Sequence, residues 1–184
     1  MTMLYEANKD NLVSIACYTY DGGLVEATPV ANEKRDVTVA LQDWFVDAKN
    51  QLENFHFSTP HVQNLFDDLT YRYYWVVSLS RTVDLTYGGR STLGVLLVDM
   101  NYSSIERILD KANTASVSSE YVYLMDPNGE IIYHPKQELI RMGRFQENNQ
   151  EAVHASDESW KEMFGGKQRI VTQKTIRCFP PNIS

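Results

Sequence analysis

The sequence predicts an α+β protein of two tandem units, each built on an antiparallel sheet flanked by helices. Three observations carry this expectation. Residues 71–100 contain two apolar runs rich in β-branched and aromatic residues, YRYYWVVSL and LGVLLVDM. Between them Gly88-Gly89 supplies the positive-φ positions of a reversal, which makes a long hairpin at the centre of a sheet. Residues 37–55 place Val37, Leu41, Trp44, Phe45, Ala48 and Leu52 at three- and four-residue spacings, the stripe of a helix. Finally, CYTY-DGG-LVEATP is echoed by VYLM-DPNG-EIIYHP, each a strand, a turn, a short strand and a proline. Asp21 and Asp126 lie 105 residues apart, Pro29 and Pro135 106 apart. Duplication of one sheet-building unit explains this, with two unrelated hairpins as the alternative.

The 184 residues suffice for one domain or two small ones with a proper core. A net charge of −7 with no basic stripe argues against a nucleic-acid partner. No apolar run reaches the roughly 18 residues of a membrane span, and no secretory leader pattern is read. Cys17 and Cys178 are two isolated thiols and define no disulfide framework.

In chain order, residues 4–11 read as the last turns of a helix that begins upstream. Residues 12–20 alternate as a strand, Asp21-Gly22-Gly23 turns the chain, and Leu24-Val25 starts a short return strand ended by Pro29. Asp36 is the expected N-cap of the 37–55 helix. Ser58-Thr59-Pro60-His61 marks a loop, and 62–69 is either a short strand or irregular. After the central hairpin, Ser103-Ser104-Ile105-Glu106 fits a capping box. The helix it opens runs to about Asn113, with Ile105, Ile108, Leu109 and Ala112 as its buried side. Residues 114–119 read as a linker, 121–133 as the second hairpin, 137–166 as polar and loop-rich, and 169–176 as one more strand. The tail after Ile176, with its two prolines, cannot continue a strand inside a sheet.

The stretches SIACYTYDGG, QDWFVDA, FSTPHV, YWVVSLSRTV, GVLLVDMNYSSIERIL and YVYLMDPNGEIIYHPKQ stand in an order and spacing that resembles a known family. The chain looks like the extracytoplasmic double Cache sensor regions of bacterial transmembrane receptors, most like those of sensor histidine kinases. The resemblance implies two PAS-like units: 1–114, membrane-distal and ligand-binding, and 115–184, membrane-proximal and truncated relative to the family. It further implies a small-molecule ligand, a membrane-anchored parent protein on the extracytoplasmic side, and an option of homodimerisation through that parent. Chemotaxis and cyclase receptors carry the same kind of ectodomain and are the alternative within signalling. A structural spacer and an unrecognised hydrolase are the alternatives from other classes.

The residues themselves offer little catalysis. There is no H-E-x-x-H, C-x-x-C, Gly-rich phosphate loop or G-x-S-x-G elbow, and the four histidines are not at metal-ligand spacing. No catalytic residue, metal or cofactor is expected, and kinase activity would belong to a cytoplasmic part outside this chain. In amino-acid-sensing members of the family, an Arg two residues before a Trp holds the ligand carboxylate, and an aromatic-acid pair and a strand-end Asp hold the amine. By that resemblance the ligand-binding residues are Trp44, Phe45, His61, Gln63, Trp75 and Asp99. Gln42 stands at the Arg position, and His61 and Gln63 replace the Tyr and Asp of the pair. Plain readings stand beside these: core packing for Trp44 and Phe45, and for Asp99 a helix cap or an ion pair with Arg72 or Arg81.

Overall fold

The computed structural model describes residues 1–52, 55–67, 73–87, 89–115, 120–156 and 158–176. The chain folds as two units, Met1–Val122 and Tyr123–Ser184.

Alternation builds the first unit. Helix α1 (Thr2–Asn8) leads into β1 (Leu12–Thr19), which turns through Gly22 (φ 94°) into β2 (Leu24–Thr28). The Thr19 hydroxyl accepts from the Gly23 amide at 2.9 Å and so closes that turn. After a 3-10 turn at Val39–Leu41 come helix α2 (Asp43–Asn50) and two short strands, β3 (His56–Phe57) and β4 (His61–Val62). The long hairpin β5 (Trp75–Tyr87) and β6 (Arg90–Asn101) follows, then helix α3 (Tyr102–Ala115). The sheet order is β2-β1-β6-β5-β3, with β4 also on β5, all antiparallel. This is the antiparallel, helix-flanked sheet that the sequence predicts.

The hairpin register runs without slip from Tyr87↔Arg90 to Val76↔Asn101. One face of the sheet therefore carries Ser14, Ala16 and Tyr18 from β1, Val95, Leu97 and Asp99 from β6, and Val76, Ser78, Ser80 and Thr82 from β5. All of these are buried. Helix α2 covers that face with Phe45 and Ala48, and Leu65, Phe66 and Val39 complete the apolar cluster. Two strand hydroxyls fasten the helix: Ser80 donates to the Trp44 carbonyl at 2.8 Å and Thr82 to the Ala48 carbonyl at 2.6 Å. At the far end of α2, Lys49 donates to the Tyr20 carbonyl at 3.0 Å and sits over the Tyr20 ring. Ile15, Cys17 and Val77 are buried on the opposite face.

Several expectations change. The 37–55 helix is shorter, because Gln42 is extended (ψ 136°) and breaks the stripe into a 3-10 turn and α2. Gln42, not Asp36, occupies the N-cap position, and no side chain caps the helix. Leu41 and Leu52 are consequently exposed. On α3 the capping oxygen belongs to Asn101, which accepts from the Ser103 amide at 3.1 Å and the Ser103 hydroxyl at 2.8 Å. Tyr102 and Ser104 are buried on α3 and Ile105 and Leu109 half-buried, while Ile108 and Ala112 are exposed. The first unit continues past residue 114 because Asn113 clasps Val122, accepting from its amide and donating to its carbonyl. Residues 71–72, 116–119 of the expected linker, and the tail with Cys178 lie outside the described residues.

The second unit holds β7 (Leu124–Met125), β8 (Ile131–Tyr133), α4 (Gln137–Arg141), α5 (Asn149–His154), β9 (Ser159–Phe164) and β10 (Lys167–Thr172). The Asp126 turn is as expected, its carboxylate accepting the Asn128 and Glu130 amides. The 137–166 stretch is more ordered than its polarity suggests, and the last strand is β10 rather than 169–176. Among the described residues its strands form two separate pairs, β7–β8 and β9–β10. Polarity misleads here because the core of this unit is itself ionic. The Glu147 carboxylate, fully buried, takes His134 Nε2 at 3.1 Å and Arg169, which also holds Glu162. The Lys136 amide donates to His134 Nδ1 at 2.9 Å, so that nitrogen bears no proton and the imidazole is neutral, donating from Nε2 to Glu147. Phe145 and Phe164 pack around the group, Arg169 lying 3.7 Å over the Phe164 ring.

Two tests follow from this packing. A Cβ on Gly94 would meet the Tyr18 carbonyl at 2.5 Å and Leu85 at 2.2 Å. Gly94→Ala should therefore cost about 1–3 kcal/mol of unfolding free energy, measured by urea denaturation. Arg169→Met leaves Glu147 and Glu162 buried without their cation, at a cost of about 3–5 kcal/mol. Hydrogen exchange should then show protection lost in 124–172 and retained in 75–101.

Candidate ligand site around Asp99

Asp99 is 1% exposed at the middle of the sheet, on the strand between β1 and β5. Cross-strand pairing puts Ser14 directly opposite on one side and Ser78 on the other. Their hydroxyls donate to the two carboxylate oxygens, Ser14 to Oδ2 at 2.8 Å and Ser78 to Oδ1 at 2.6 Å. The acid is thus solvated by two neutral donors and by no cation within ion-pair distance among the described residues. Burial raises its pKa above the ordinary carboxylate value, and the Ser78 and Ser14 hydrogen bonds and the nearby His61 only partly offset this. Of the plain readings, the helix cap goes to Asn101. Arg81 lies on the other face, its guanidinium 4.7 Å from the Phe55 ring. Arg72 is outside the described residues.

His61 enters through the loop that the sequence marked. Its Nδ1 donates to the Thr59 carbonyl at 2.9 Å, and Nε2 lies 3.4 Å from the Ser78 hydroxyl. Ser58 stiffens this corner, accepting the Ser78 amide at 2.9 Å. Ser78 has one proton, and while it donates to Asp99 it can only accept from His61. The Ser58 hydroxyl lies 3.2 Å from His61 Nδ1. The order His61–Ser78–Asp99 is not a nucleophile arrangement: Ser78 is 2% exposed, gives its proton to the acid and receives no base oriented by a carboxylate.

Trp44 and Phe45 cover the same face from α2. The Trp44 ring stands 5.5 Å from Tyr18 and 5.6 Å from Phe45, the latter edge-on. Phe45 is fully buried in the apolar cluster, while Trp44 is partly exposed and packs against it. Gln63 lies just beyond β4 on the His61 side, its amide on the Tyr74 carbonyl at 2.9 Å. Trp75 is not brought to this group. It pairs with Val62 on the opposite face of β5 and is 44% exposed. Sequence reasoning missed Ser14, Ser78 and Tyr18. The signal was present for Ser78, since a two-residue turn at 88–89 places it opposite Asp99.

Among the described residues no three His, Cys, Asp or Glu side chains converge to hold a metal ion, and no helix is long and apolar enough to cross a membrane.

No family model and no curated protein matches this chain. Solved structures do. The ligand-binding domain of the Pseudomonas fluorescens chemoreceptor CtaA, in complex with L-isoleucine, superimposes with a TM-score of 0.58 at 15% identity, covering 91% of this chain and 63% of that one. The corresponding domain of the Pseudomonas aeruginosa PAO1 amino-acid chemoreceptor PctB, bound to L-Gln, gives 0.55 at 16% identity over 89% and 62%. A methyl-accepting chemotaxis protein gives 0.55 at 15% over 93% and 71%. The chain therefore has the PAS-like fold of receptor ligand-binding domains, and spans about 63% of the length of the first of them.

The raised pKa of Asp99 has a consequence for stability. Folding takes up a proton between the unfolded carboxylate value of about 3.9 and the higher folded value, so ionisation destabilises the ligand-free fold as pH rises through that interval. Asp99→Asn should raise the Tm at pH 7 by a few degrees, at roughly 2–4 °C per kcal/mol. The gain should shrink as the pH is lowered toward 4, by thermal denaturation. A gain independent of pH would show that ionisation is not the cost.

Proposed function

We propose that this chain is the solute-sensing part of an extracytoplasmic receptor region, and that it binds a small amine-bearing ligand on the Asp99 face of the first unit. The observation that carries this reading is a carboxylate 1% exposed with only hydroxyl donors, beside a partly exposed tryptophan and a histidine. A buried acid held short of a cation is a site that a cationic ligand completes. The ligand-binding residues in this reading are Asp99, Ser14, Ser78, His61, Gln63, Trp44 and Phe45, with the aromatic rings as apolar walls. Trp75 would join only by contacts from the other face, so it carries least of the proposal.

The chemoreceptor domains with the same fold are described with amino acids bound, L-isoleucine in one and L-Gln in another. For this chain an α-amino acid is the weaker candidate. At the place where the family resemblance puts an arginine stands the half-buried Gln42, which is neutral and offers two donors in place of a guanidinium fork. The first unit, Met1–Val122, would be the membrane-distal, ligand-binding one and the second the membrane-proximal one, in a membrane-anchored parent that forms homodimers. Such a region would drive a chemotaxis output at least as readily as a histidine kinase, since the fold neighbours are chemoreceptor domains.

A thermal-shift screen of α-amino acids, amines without a carboxylate, purines and sugars tests the reading. An amine should raise the Tm, and the shift should vanish in Asp99→Ala and in Trp44→Ala while circular dichroism stays native. A tight α-amino-acid response that survives Asp99→Ala would overturn it.

A further inference from the structure

A second polar group lies on the same face as Asp99. Tyr18 is 0% exposed, and among the described residues its hydroxyl meets no partner at full hydrogen-bond geometry. Burying a phenol without a partner is unfavourable, and the buried tyrosines of folded proteins normally find one. Tyr18 projects from β1 on the face that carries Ser14 and Asp99, two strand positions on from Ala16. The Glu33 carboxylate is its neighbour, close enough to act on the hydroxyl both by its charge and as a hydrogen-bond acceptor, though outside full hydrogen-bond geometry, and the Asp99 charge adds to the effect.

Glu33 is not a free surface acid. It bridges antiparallel to Phe66, and the flanking bonds Lys34 N–H to the Leu65 carbonyl and Asp67 N–H to the Asn32 carbonyl, both 2.9 Å, pin the strap 32–34 to 65–67. Leu65 and Phe66 belong to the apolar cluster that contains Tyr18, Phe45, Val95 and Leu97. Among the described residues neither Glu33 nor Asp99 is in an ion pair. The face thus holds two carboxylates, an orphaned hydroxyl and the tilted Tyr18–Trp44 pair, whose ring faces suit both methylenes and cations.

Building on the amine site proposed above, we propose that Glu33 and the Tyr18 hydroxyl form its second cation-binding point, so that the preferred ligand is a short aliphatic diamine with an ammonium at each end. One ammonium satisfies Asp99. The other donates to Glu33 and to the phenol oxygen, which ends the burial of that hydroxyl without a partner. The phenol is suited to this role as a neutral group: burial first, and then the Glu33 and Asp99 charges, raise its pKa and keep the proton on it. The methylene chain lies along Trp44.

The test is calorimetric titration of the whole chain, at constant ionic strength, with α,ω-diaminoalkanes of about three to six carbons and with 1-aminoalkanes of the same lengths. The best diamine should bind at least tenfold tighter than its monoamine. Glu33→Gln should bring diamine affinity down to the monoamine level, and Tyr18→Phe should weaken the diamine severalfold, with circular dichroism confirming the fold in each. Magnesium chloride at the same concentration should not compete, which separates the site from general attraction of a dication to an acidic protein. Equal affinity for monoamine and diamine, a preference that survives Glu33→Gln, or displacement by magnesium would overturn the second point. If monoamines still bind and Asp99→Asn abolishes that binding, the amine site stands and only this inference falls. If no amine binds at all, both fall.

Discussion

The first unit depends on how one carboxylate is kept at the centre of a sheet. Asp99 is buried between two neighbouring strands, and the serines directly opposite it turn their hydroxyls onto its two oxygens. An acid in this position without donors would be expensive, and with an arginine beside it would already be neutralised. Two hydroxyls make a middle course. They lower the cost enough for the fold to persist, and they leave the charge uncancelled. Each oxygen keeps a further lone pair for a donor that comes from outside.

The same row of small polar residues organises the helix above. Along the buried face of β5, Ser78 holds the acid, Ser80 holds the carbonyl of Trp44, and Thr82 holds the carbonyl of Ala48. Three successive positions on one strand face thus set the charge and the position of the tryptophan relative to one another. The Trp44 backbone is thus fastened to the strand that carries the electrostatics of Asp99. His61 closes the group from the Ser58–Pro60 corner, with Nε2 3.4 Å from the Ser78 hydroxyl.

The second unit solves a related problem with opposite means. Its buried acid, Glu147, is matched in place by Arg169 and by the neutral imidazole of His134, with Glu162 sharing the arginine. Charge is cancelled internally and aromatic rings pack around the result. A charge completed by protein groups specifies structure, whereas one left to hydroxyls invites a ligand. This contrast is the physical reason the proposed ligand site is assigned to the first unit.

Much of this was legible from the chain alone. Period-two alternation and the Gly88-Gly89 turn define the hairpin, and because that turn sets the register, they also define which residues face one another; Ser78 opposite Asp99 was readable there. The Trp44-Phe45 face of α2 was readable from its spacing. What the sequence could not determine depends on partners distant along the chain. Whether Asp99 would meet Arg81 or a hydroxyl turned on strand facing, and the pairing of β1 with β6, 85 residues away in the case of Ser14, supplied the answer. Trp75 was drawn to the site by its aromatic character, yet odd and even positions of a strand point apart, and only the pairing of β5 decided that it belongs to the other face. The orphaned Tyr18 hydroxyl and the strap that brings Glu33 beside it leave no local pattern at all. They arise from how 32–34 and 65–67 pack together, and packing between distant segments is what tertiary structure alone decides.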